Sequence, residues 1–267
     1  MSGHVMRSLN NITAPENCSL ICFKPNPVAK VRLFCFPYAG GNATIFRDWA
    51  AHLPPMVELW ASQPPEWGRR ANRAPLTRMS QVIEGLAAGF HHFVDKPFLF
   101  FGHSLGAVVA FELAQWLVRE MRLEPAHLIV SGHGAPQIPR TDPPIHDLPD
   151  DEFVQELRRL KGTRSEILEH AELMRMIMPI LRADFEISDT YVCSSRAAMS
   201  CAVTALGGLQ DTEVTPESIR EWVEVTTGPF SMKMLPGDHF FLHSAQATLL
   251  RLVTNALYAV LGKLQSS

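Results

Sequence analysis

The stretch FFGHSLGAVVAFELA, residues 100–114, decides how the rest of the chain is read. Phe98, Leu99, Phe100 and Phe101 form the continuous apolar run of a buried strand, and Ala107, Val108, Val109, Ala110 and Phe111 open a helix. Between them stands Ser104, with Gly102 two residues before it and Gly106 two residues after. A strand that becomes a helix over so few residues brings those two positions too close to carry side chains, and glycine fits there. G-x-S-x-G in that context is a nucleophile elbow, in which the serine is strained and its hydroxyl points outward. The alternative is a Gly/Ser turn whose hydroxyl only caps the following helix.

Outward from this segment, short apolar runs alternate with helical patterns. Residues 31–36, 58–61, 97–101 and 127–131 are continuous rather than alternating, as expected of strands buried on both faces, and 198–206 and 231–235 follow late in the chain. Helical patterns cover 43–52, 79–93, 105–120, 219–225 and 244–261. The alternation predicts an α/β fold with a mostly parallel sheet and helices on both faces. Residues 148–191 carry only helical signals, and we expect an inserted lid across the strand ends rather than helices beside the sheet. Residues 1–20 are polar and aperiodic and read as a loose arm, with 21–267 as the folded domain.

Composition narrows the classes. Of 267 residues, 46% are hydrophobic and 19% charged, with a formal net charge of -3, a profile that points away from disorder and nucleic-acid binding. Cys18, Cys22, Cys35, Cys193 and Cys201 are odd in number and complete no zinc pattern, so they read as reduced thiols in a cytoplasmic protein. The N-terminal segment lacks a basic stretch followed by an apolar core, and no uninterrupted apolar run of about 20 residues suggests a membrane span.

A serine hydroxyl needs a general base, and the base needs an orienting carboxylate; on this architecture both follow the serine in the chain. His239 sits in a loop directly after the last strand and is the candidate base, with His243 as competitor. Asp211, just past the strand 198–206, is the candidate acid, chosen over Asp184, Asp189 and Asp238, with Glu213 as an alternative. The oxyanion needs two backbone donors: Leu105 N–H after the nucleophile, and one from the loop Phe36-Pro37-Tyr38-Ala39-Gly40-Gly41.

These motifs, with Leu148-Pro149-Asp150-Asp151-Glu152-Phe153, Leu181-Arg182-Ala183-Asp184-Phe185 and Gly237-Asp238-His239-Phe240-Phe241-Leu242, resemble the type II thioesterases of the α/β-hydrolase superfamily. These are the stand-alone editing enzymes of nonribosomal peptide and polyketide synthesis. The resemblance implies an α/β-hydrolase fold, a triad of Ser104, Asp211 and His239, oxyanion amides from Ala39 and Leu105, and a mobile lid over 148–191. It implies hydrolysis of acyl or aminoacyl thioesters from the phosphopantetheine of a partner carrier protein, by a monomer without metal or bound cofactor. Where that family reads Pro-Gly-Arg after the second strand, this chain has Pro64-Pro65-Glu66-Trp67-Gly68-Arg69-Arg70. Arg69, Arg70 and Arg73 are a candidate carrier-docking patch or a solvated basic face. The rival readings are a medium-chain acyl thioesterase of fatty acid synthesis and a noncatalytic carrier-binding protein of the same fold.

Overall fold

A computed structural model of the chain describes residues 20–23, 25–63, 74–193 and 197–265. Seven strands make one sheet: β1 (Leu20–Cys22), β2 (Val31–Phe36), β3 (Val57–Ser62), β4 (Phe98–His103), β5 (His127–Ser131), β6 (Ala202–Gly208) and β7 (Phe230–Leu235). They are ordered β1-β3-β2-β4-β5-β6-β7, and only β1 runs antiparallel to its neighbour. The helices are α1 (Met79–Phe90), α2 (Leu105–Met121), α3 (Asp150–Leu160), α4 (Ser165–Leu168), α5 (Ala171–Thr190), α6 (Pro216–Arg220), α7 (Phe241–Ser244) and α8 (Gln246–Gln265).

The apolar runs are continuous because the sheet is covered on both faces. Phe34, Phe36, Trp60, Phe100 and Val130 enter a core shared with α1 and α2. Leu33, Cys35, Leu59, Phe101 and Ile129 face the other way, toward Phe46, Trp49 and the α8 residues Leu249, Val253 and Leu257. α8 is long and apolar enough to cross a membrane by length and composition, yet its apolar side is spent on this core. Residues 148–191 hold α3, α4 and α5, whose Phe153, Leu157, Leu168, Met174 and Leu181 form a separate small cluster with Ile145.

Several boundaries differ from expectation for local reasons. β4 runs to His103 because Gly102 and His103 still pair with Val130 and Ser131, so the bend begins only at Ser104. Residues 43–51 are a 3-10 helix, capped by the Asn42 side chain accepting from Thr44 N. The expected helix 79–93 ends at Phe90 and passes into a 3-10 turn, His91–Phe93. β6 starts at Ala202 rather than 198, with Met199 making an isolated bridge to Thr226. The segment expected at 219–225 begins at Pro216 behind a Thr215 cap and continues as a 3-10 helix, Glu221–Val225. The terminal helix divides into α7 and α8. β1 claims Leu20 from the expected arm by pairing it with Ser62. The remainder of that arm, Cys18, and Arg69, Arg70 and Arg73 lie outside the described residues.

Candidate active site

Because β2 and β4 through β7 are parallel, the segments that follow them emerge at one edge of the sheet, and all five candidate residues follow these strands. Ser104 has φ 53° and ψ -122°, a left-handed conformation costly for a residue with a side chain. Two backbone bonds hold it there: Ser104 N–H donates to Ser131 O at 2.7 Å, and Ala107 N–H donates to Ser104 O at 2.8 Å. Its side chain makes no cap bond to α2, which removes the capping alternative. A Cβ on Gly102 would lie 2.0 Å from Gly106 O, and one on Gly106 would lie 2.1 Å from Phe36 O. The second of these contacts matters for the site, since it seats the start of α2, and so the Leu105 amide, against the end of β2 where the loop 37–41 begins.

Asp211 and His239 meet across the loops after β6 and β7. His239 Nδ1 lies 2.9 Å from Asp211 Oδ2. The other oxygen, Oδ1, accepts from Glu213 N at 2.8 Å and Val214 N at 3.2 Å. The Asp211 side chain is fully buried and that of His239 is 14% exposed. A carboxylate only accepts, so Nδ1 carries the ring proton and Nε2 is left with a lone pair. The two loops are also tied to each other, since Gln210 N donates to Gly237 O at 2.9 Å and Gly237 N donates to Gln210 Oε1 at 2.6 Å.

The serine's neighbour supports this arrangement. His103 is fully buried, its Nδ1 is 2.9 Å from Ser131 Oγ, and its ring centroid lies 5.4 Å from that of His239. Burial foremost, then the neighbouring His239 and His243, hold His103 well below the ordinary histidine pKa. His103 is thus a neutral spacer beneath the candidate base, a role the sequence reading passed over inside the motif.

Ala39 lies in the turn closed by Gly41 N–H to Tyr38 O at 2.8 Å, directly after β2. Gly40, at φ 77°, donates its N–H to Asp184 Oδ2 of α5 at 2.7 Å. Ala39 thus follows β2 directly and Leu105 follows the elbow serine, and the two are the candidate amide donors.

The other candidates are engaged elsewhere. His243 Nε2 is 3.1 Å from Tyr38 Oη, and burial, with Arg164 nearby, lowers its pKa. Glu213 receives Arg159 of α3 through two bonds, at 2.7 and 3.3 Å. Asp238 accepts from Phe240 N at 3.1 Å and lies 3.6 Å from Lys161. Asp189 makes a second histidine–aspartate contact, 2.9 Å to His146 Nδ1, but also accepts from the Ile145 and His146 amides and pairs with Arg140. It is a clasp between α5 and the segment before α3, not a proton relay.

Beside the turn and the start of α2 opens an apolar pocket. Its walls include Phe36 and Pro37 from the β2 end, Val82 and Gly85 from α1, Leu105 and Val109 from α2, and Ile187 from α5. A lining of this kind suits an acyl group. No group of three or more His, Cys, Asp or Glu side chains that could hold a metal ion occurs among the described residues.

Comparison with known proteins agrees with this geometry. The family described as "Thioesterase domain" matches residues 31–257. The gramicidin S biosynthesis protein GrsT of Aneurinibacillus migulanus is 41% identical over 237 residues, 89% of this chain and 93% of GrsT. The medium-chain S-acyl fatty acid synthase thioesterase of Rattus norvegicus is 30% identical over 243 residues, 89% of this chain and 91% of that protein. Among solved structures, the type II thioesterase BorB of the borrelidin biosynthetic cluster superposes with TM-score 0.82 at 35% identity, covering 89% of this chain and 97% of BorB. The chain belongs to the thioesterase family and has the α/β-hydrolase fold.

Proposed function

We propose that this enzyme is a type II thioesterase that hydrolyses aberrant or stalled acyl and aminoacyl thioesters on the carrier proteins of a nonribosomal peptide or polyketide synthase. The observation that carries the reading is the buried Asp211–His239 pair after β6 and β7, with the His239 ring 5.4 Å from that of His103, the residue before a strained Ser104. The relatives named for gramicidin S and borrelidin biosynthesis support the biosynthetic context.

In the reaction, His239 Nε2 takes the Ser104 hydroxyl proton as Oγ attacks the thioester carbonyl, and the Ala39 and Leu105 amides donate to the oxyanion. The carbon–sulfur bond breaks, and the phosphopantetheine thiolate leaves with the proton held by His239. Water then gives a proton to His239 and attacks the acyl-serine, and collapse returns the proton to Ser104 and releases the acid. Side chains, amides and water complete this cycle, so we infer that no metal or bound cofactor is required. The carrier brings its own phosphopantetheine. We further infer a cytoplasmic monomer in which residues 148–191 act as a lid.

The test is mass spectrometry of a panel of acylated carrier proteins incubated with wild type and with Ser104→Ala. Loss of the nucleophile should slow acyl release by about 10⁴-fold or more. Equal release by both proteins overturns the assignment. The rat thioesterase, at 30% identity, keeps the fatty acid reading as a rival. Release confined to long saturated chains, with none from acetyl or aminoacyl carriers, would favour that rival.

A further inference from the structure

Asp184 is among the carboxylates the sequence offers for the triad, and its position gives it a different task. Its Oδ2 accepts the Gly40 N–H at 2.7 Å, although the two residues are 144 apart in the chain. Leu181, one helical turn earlier on the same face of α5, closes on the same residue, since a Cβ on Gly40 would lie 2.5 Å from Leu181 Cδ2. Leu181 is itself 1% exposed and belongs to the apolar cluster of α3–α5. One turn of α5 therefore grips Gly40 from two directions.

What is gripped is a turn with two available forms. Ala39 and Gly40 are its central residues, and φ 77° at Gly40 is the type II geometry. The type I form differs by a flip of the peptide between them, and the N–H of that peptide belongs to Gly40. A flip would turn this N–H away from the Asp184 carboxylate and aim the Ala39 carbonyl oxygen at it, exchanging a charge-assisted hydrogen bond for repulsion.

We propose that Asp184 is a positioning residue for the oxyanion hole. By fixing Gly40 against α5 it anchors the 38–41 turn in one form, and with it the position of Ala39, whose N–H lies on the adjoining peptide. The proposal rests on the hydrolytic reading above. It implies that the hole is complete only while α5 is seated on the turn, which ties the helical segment to the reacting carbonyl through the Asp184–Gly40 hydrogen bond and the Leu181 contact.

The experiment compares the full-length wild type with D184A and D184N on a short acyl N-acetylcysteamine thioester, alongside binding of a trifluoromethyl ketone, which the serine converts to a tetrahedral oxyanion. For D184A we expect kcat to fall about 10- to 100-fold with KM within about threefold. Trifluoromethyl ketone affinity should fall by the same factor as kcat. D184N keeps an acceptor oxygen and should recover to within about fivefold of wild type. Should D184A not fold, D184L retains the bulk without the acceptor and carries the same expectation. Wild-type kcat in D184A or D184L overturns the proposal, as does a fall in kcat that leaves trifluoromethyl ketone affinity unchanged, which would mark a merely structural role. A wild type that hydrolyses no thioester overturns the functional reading itself, whereas an active wild type with an equally active D184A overturns the positioning role alone.

Discussion

A carboxylate whose oxygens are both occupied before substrate arrives can hold an imidazole in only one tautomer, and Asp211 is in that position. Oδ1 is taken by two backbone amides and Oδ2 by His239 Nδ1. In Asp211→Asn the side-chain amide places an N–H where an acceptor was needed, either toward His239 or toward the Glu213 and Val214 amides. The ring then presents the wrong nitrogen to Ser104, and we expect kcat to fall about 10⁴-fold with the melting temperature little changed. Steady-state hydrolysis checks this, and a loss below about tenfold would show that the carboxylate does not set the tautomer. Ser104, Asp211 and His239 were legible in the sequence because a parallel sheet delivers its loops to one edge, so following a strand was nearly sufficient information. Asp184 and His103 were not legible in the same way. Their partners, Gly40 and Ser131, lie on a turn 144 residues away and on the neighbouring strand, and neither contact is of the loop-to-loop kind that the parallel order predicts.

At the level of elements, the walls of the pocket come from α1, α2 and α5, and Gly85 is where α1 leaves it open. A Cβ at Gly85 would meet nothing within 4 Å, in contrast with Gly102 or Gly106, where backbone atoms stand in the way. Gly85→Leu should therefore be accommodated without backbone shift and should gain about 0.8 kcal/mol of helix propensity. The new side chain would occupy space otherwise available to the acyl group. We expect kcat/KM for long acyl thioesters to fall about tenfold or more while acetyl turnover stays at the wild-type level, with a melting temperature equal to or above wild type. Chain-length profiling decides it, and a uniform loss across all lengths would show that this pocket does not receive the acyl chain. The existence of α1, α2 and the six longer parallel strands followed from continuous apolar runs and helical periodicity. Three-residue β1 is too short to show a period, and the 3-10 turns at Ala43–Ala51 and His91–Phe93 share their apolar spacing with α-helix. Tertiary pairing and caps, which the sequence expresses only weakly, set those boundaries.

Across the whole molecule, folding buries histidines in neutral form, and this fixes the direction in which stability depends on pH. Burial, followed by His239 and His243, holds His103 well below the ordinary value of 6.5, and burial, with Lys263, lowers His127 to about 4. In the unfolded chain both side chains bind protons as pH falls through their ordinary value, whereas in the folded protein they do not until His127 reaches about 4. The unfolded state therefore holds more protons in this window, and stability that is fully present above pH 6.5 is lost as pH falls. Each histidine contributes up to about 1.4 kcal/mol per pH unit to that slope. His127 can be separated from the rest because its Nε2 lies 2.8 Å from Thr204 Oγ1, a contact that the amide of Gln can replace. Urea denaturation between pH 7.5 and 5 should show a falling midpoint for wild type and a shallower fall for His127→Gln, by about one proton's worth of slope. Identical slopes in the two proteins would mean that His127 takes its proton equally in both states, and that burial at the start of β5 does not hold it neutral.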